Sequence, residues 1–146
     1  MSKALHLLLD QLDDKERKAV ADLGAAQLQL QQLEQQQQML SQYQRNYSEQ
    51  FQQRGREGLS SHEFGHFQGF INKLELAQEQ QQDGLKQARE QLEKTRTDWM
   101  AVRARKQAIE KLLEREAERK QVESNRQEQK MMDNMAIYRF YQQKKR

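Results

Sequence analysis

Apolar residues recur three and four positions apart along most of this chain, and that spacing leaves few folds open. One column runs Leu5, Leu12, Ala19, Ala26, Leu33, Leu40 and Tyr47. An interleaved column runs Leu9, Glu16, Leu23, Leu30, Gln37, Gln44 and Phe51. The alternation lasts about seven heptads, well past the three or four that identify a coiled coil. A second ladder begins at Phe67. Its columns are Phe67, Leu74, Gln81, Ala88, Thr95, Val102 and Ile109, and Ile71, Gln78, Leu85, Leu92, Trp99, Lys106 and Leu113.

Composition agrees with a narrow seam and argues against a wide core. Only 35% of the 146 residues are hydrophobic and none is proline. A two-stranded seam needs just two apolar positions in seven, and a chain without proline lacks the strongest breaker of a helix interior. The Gln-rich tract from Gln27 to Gln53 reads as a solvated helical face, because Gln is a good helix former. The 25 basic and 22 acidic residues leave a net charge of +3. Such interleaving marks solvated helix surfaces, and no nucleic-acid partner is expected from it. The opening MSKALHLLLDQLDD is too short and too soon acidic to be a signal peptide or a spanning helix. Absence of cysteine fits a reducing cytosol.

The register breaks at RGREGLSSHEF, Arg54 to Phe64. The expected organisation is therefore helix one at 3–53, a hinge at 54–62, the paired part of helix two at 63–113 and a projecting extension at 114–146. Glycine frees the backbone for the reversal, Ser61 is a candidate cap, and a short link favours antiparallel packing. The fold class is all-α, an antiparallel coiled-coil hairpin with the second helix longer. The register that fits best sets Phe51 opposite Phe67, Leu33 opposite Leu85, Ala19 opposite Trp99 and Gln37 opposite Gln81 as a polar layer. Asp13 then lies near Arg103, while Glu16 and Lys106 fit the seam poorly and must reach solvent through long stems. The extension regains apolar character at Met131, Met135, Tyr138, Phe140 and Tyr141. It reads equally as a basic tail and as a docking helix ordered by a partner.

Beside the seam, Gln36, Tyr43, Phe70 and Ala77 flank Leu40, Tyr47, Leu74 and Gln81, widening the apolar strip onto one surface. Tyr43 and Phe70 are expected to be largely exposed, and exposed aromatic patches mark binding sites. His62-Glu63-Phe64-Gly65-His66 is a formal match to H-E-x-x-H, whose chemistry needs a third zinc ligand and a cleft. No later His exists and the architecture offers no cleft. Catalytic residues, metal ligands and cofactors are accordingly none, and the chain reads as nonenzymatic; a zinc peptidase is a remote alternative.

The stretch MLSQYQRNYSEQF, a glycine-containing loop and HFQGFINKLELAQEQQ resemble the flagellar export protein FliJ family. Arg96 and Trp99, KQAIEKLLERE and the near-terminal EQKMMDNMA extend the resemblance over most of the chain. It departs only at Glu63 and Phe64, where the family is variable. The resemblance implies a component of the bacterial flagellar type III export apparatus that is similar to the central stalk of rotary ATPases. Its implied partners are the ring of the export ATPase FliI, the cytoplasmic domain of the export gate protein FlhA, and flagellar export chaperones that it escorts or recycles. The implied location is the cytoplasm, with peripheral association at the inner membrane through those partners. The implied gate-facing residues are Gln36, Leu40, Tyr43, Tyr47, Phe70, Leu74, Ala77 and Gln81, and the open end with the C-terminal helix would meet the ATPase ring. The alternative class is a self-assembling structural or chaperone coiled coil.

Overall fold

Two helices account for nearly all of residues 2–144, which a computed structural model describes: α1, Ser2–Glu57, and α2, Ser61–Lys144. The last two residues of the expected extension, 145 and 146, lie outside the described residues. Both sequences are built from Gln, Glu, Leu, Lys, Arg and Ala, all of which lose little on entering a helix. Among the described residues no helix is long and apolar enough to cross a membrane.

The link is far shorter than the expected 54–62. Only Gly58, Leu59 and Ser60 are non-helical, so α1 runs through Gly55 and α2 already includes Ser61 and His62. A helical glycine costs only about 1 kcal/mol, which strong neighbouring helix formers offset. Gly58 is different. Its φ of 99° is a left-handed conformation that glycine adopts without a Cβ penalty, and this ends α1. The cap on α2 is Ser60 rather than Ser61. Its hydroxyl accepts from the Glu63 amide at 3.2 Å and its carbonyl accepts from the Phe64 amide at 3.0 Å. Ser60-Ser61-His62-Glu63 has the S-x-x-E spacing of a capping box, which explains the choice.

The chain divides into two compact units. In the unit Arg17–Ala101, α1 and α2 pack antiparallel around the expected seam. Every column residue from Ala19 to Phe51 and from Phe67 to Trp99 is at least partly covered. Leu85 is the most deeply placed at 2% exposure, with Ala26, Leu74, Ala88 and Thr95 also buried. The buried Thr95 hydroxyl donates to the Leu92 carbonyl at 2.9 Å, so its polar group is satisfied within its own helix. The expected Gln37–Gln81 layer takes another form. The Gln81 amide donates across the seam to the Leu33 carbonyl at 2.8 Å. That carbonyl has a second lone pair beyond its helical bond, so a long amide side chain finds an acceptor on the facing backbone.

The second unit comprises the residues up to Glu16 and those from Val102 onward. Leu12 is buried, and Leu5, Leu9, Val102, Ile109 and Leu113 are partly covered. Glu16 and Lys106, which fit the seam poorly by sequence, meet each other. The Lys106 ammonium lies 2.9 Å from Asp13 and 3.2 Å from Glu16. Asp13 thus pairs with Lys106, whose seam position brings its ammonium within reach of both carboxylates. Their hydrogen bonds and charge hold the Lys106 pKa above the ordinary lysine range. Coverage continues to Glu116, a little beyond the expected limit at 113, and residues 117–144 remain helical and exposed. Local bonds support this last stretch, including Gln129 to Asp133 at 3.3 Å and Gln142 to the Tyr138 hydroxyl at 2.9 Å.

Candidate functional site

Three aromatic residues lie on α1 near its end, Tyr43, Tyr47 and Phe51, each one turn from the next. Three more open α2, Phe64, Phe67 and Phe70, spaced by three. Both spacings stack side chains along one helical stripe. Reversal at Gly58 brings the stripes together, and the rings interleave as a zigzag. Phe51 lies 5.8 Å from Phe64 and 5.3 Å from Phe67 between ring centres. Tyr47 lies 5.1 Å from Phe67 and 4.4 Å from Phe70, and Tyr43 meets Phe70 edge-on at 6.1 Å. These separations match the range in which tilted and edge-to-face rings attract, each pair adding about 0.5–1.5 kcal/mol beyond area burial. The Arg54 guanidinium sits 5.8 Å from the centre of the Phe67 ring, a cation–π contact.

The middle and the ends of this ladder differ. Phe51, Phe67, Tyr47 and Phe70 are half-buried, whereas Tyr43 is 54% and Phe64 51% exposed. Phe70 was expected to stand largely open, but the Tyr43 and Tyr47 rings cover part of it. Of the other expected interface residues, Gln36 is exposed, while Leu40, Ala77 and Gln81 are half-buried. Leu74 is buried in the seam, so it supports the surface from below. The structure therefore gathers Tyr43, Tyr47 and Phe70 into one aromatic group and leaves Gln36 as a polar flank. Sequence reasoning missed Phe64 as part of the ladder. Its spacing to Phe67 and Phe70 was the available signal, but that spacing has meaning only if the helix starts before Phe64, which the Ser60 cap ensures.

The H-E-x-x-H segment lies on the exposed first two turns of α2. The rings of His62 and His66 are 5.6 Å apart. Among the described residues no group of three or more His, Cys, Asp or Glu is placed to hold a metal ion. Rings packed on one another and a Gln-rich flank give this surface aromatic groups with a polar margin, the composition of a protein-interface core and its rim.

Comparison with known proteins agrees with the resemblance. Residues 1–145 match the family model described as Flagellar FliJ protein. Among curated relatives, the Flagellar FliJ protein of Salmonella typhi is 32% identical over 137 residues, covering 91% of this chain and 93% of the relative. The Flagellar FliJ protein of Escherichia coli (strain K12) gives the same identity and coverage.

Proposed function

Because the chain belongs to the flagellar FliJ family, we propose that it is a nonenzymatic flagellar export component coupling the export ATPase ring to the export gate. The observation that supports this most is the aromatic ladder, whose inner rings are fixed by mutual packing while Tyr43 stays open. A rigid aromatic side chain held in place before binding loses little entropy on docking, the property of an interface anchor. In this reading the cytoplasmic domain of the gate protein FlhA seats on Gln36, Leu40, Tyr43, Tyr47, Phe70, Ala77 and Gln81, with Leu74 beneath. The exposed helix beyond Glu116 serves the ATPase ring, FliI, through Met131, Met135 and Tyr138, which the helical repeat sets on one face. Export chaperones are escorted or recycled by the same protein, which reaches the cytoplasmic face of the inner membrane only through its partners.

Titration calorimetry against the gate domain tests the assignment. Tyr43→Ala should weaken binding about tenfold or more, the effect of losing an aromatic anchor, with helicity by circular dichroism unchanged. Phe70→Ala should weaken it further, since it also frees the Tyr43 and Tyr47 rings. An affinity unmoved by Tyr43→Ala would overturn the assignment.

A further inference from the structure

The histidines at the start of α2 have no part in the reading above, yet they are arranged as a chelate. His62 and His66 are four residues apart, so one helical turn sets their side chains on the same face. Both are exposed, and their ring centres are 5.6 Å apart. Two imidazoles sharing one tetrahedral ion, with metal–nitrogen bonds of about 2.0–2.1 Å, have ring centres about 5 Å apart. The separation of the two rings is thus close to the one a shared ion requires, and the helix backbone fixes the one-turn spacing.

We propose that His62 and His66 form a binding site for a single borderline divalent transition-metal ion, of the zinc, nickel or copper class. Neutral imidazole suits these ions and not magnesium or calcium, which prefer oxygen ligands. The pair supplies two ligands and water completes the coordination, since no third protein ligand is grouped with them among the described residues. The consequence is structural. The chelate spans Gly65, the weakest helix former in this turn, and ties residue 62 to residue 66 across it. It therefore clamps the turn of α2 that carries Phe64, at the free end of the aromatic ladder. Glu63 is not a ligand here, and no hydrolytic step is assigned to the site.

The chain makes the test clean, because it has three histidines in all and no cysteine. Untagged full-length protein is titrated with zinc chloride and with nickel chloride by calorimetry at neutral pH. One ion should bind per chain, and His66→Ala or His62→Ala should each lower the affinity at least tenfold, while His6→Ala leaves it unchanged. Imidazole NMR signals of His62 and His66 should move together while that of His6 stays. Amide exchange of residues 62–66 should slow when metal is added, a response absent in His66→Ala. Failure to saturate at one equivalent, or equal affinity in the parent and His66→Ala, overturns the proposal. Magnesium chloride giving the same exchange protection would overturn it too.

Discussion

Leu85→Ala is the perturbation that most directly tests what holds this hairpin together. Leu85 is 2% exposed, the deepest side chain named in the seam, and the register sets it opposite Leu33. Removing three side-chain carbons from such a site forfeits about 2.4 kcal/mol of transfer free energy at 0.8 kcal/mol each. A cavity adds to this in a rigid core, at about 24 cal/mol per Å³. The addition is small here, because a two-helix seam is one layer deep and water and neighbouring stems reach the gap. The expected loss is about 3 kcal/mol. Leu76 lies on the same helix but is 56% exposed, so Leu76→Ala removes the same atoms from a solvated position. Its cost should stay under about 0.5 kcal/mol. Urea unfolding followed by circular dichroism at the helical band compares the two variants directly. Adding Leu33→Ala to Leu85→Ala should cost less than the two separate losses by at least about 0.5 kcal/mol, because both open the same gap. Equal losses for Leu85→Ala and Leu76→Ala would refute the seam as the source of stability. Strict additivity with Leu33→Ala would refute the register.

Glycine substitutions should divide by backbone conformation. A Cβ at helical Gly65 or Gly69 meets nothing within 4 Å, so each Gly→Ala change should stabilise by about 0.5–1 kcal/mol, read by the same unfolding assay. Gly58→Ala forces an L residue to a φ of 99° and should destabilise by about 1 kcal/mol or more. Lys106 gives a pH signature. Its folded pKa is raised by Asp13 and Glu16, so its contribution is complete below the unfolded pKa and is lost as pH rises through the higher folded value. As pH rises above the ordinary lysine value of 10.5, the parent should therefore lose stability more steeply than Lys106→Met; parallel pH profiles would show that the two carboxylates do not hold this ammonium.

Much of the candidate surface is legible in the sequence. Tyr43, Tyr47, Phe70 and Leu74 stood out because they share helical stripes and sit where apolar character exceeds what two columns need. Their individual roles were not readable. Phe70 was expected to be open and is half covered, because two tyrosines of the other helix lean on it. Leu74 was placed with the surface and lies beneath it. Both depend on which way a side chain turns against a facing helix, and sequence spacing does not carry that information.

Periodicity is a property of the single strand, and it determined the all-α hairpin and its two seam columns, while the break in register together with its glycines and serines put the reversal within 54–62. Every column position from Leu5 to Phe51 and from Phe67 to Leu113 is covered to some degree, as the repeat requires. Tertiary structure decided the rest. It sent Gln81 to the Leu33 carbonyl and joined Lys106 to Asp13 and Glu16. The reason is the same in each case. A long polar side chain has several acceptors within reach, and only the placement of the facing backbone and charges selects among them. The aromatic ladder belongs to both. Its rings were spaced by the sequence, but their contacts exist only because two helices meet.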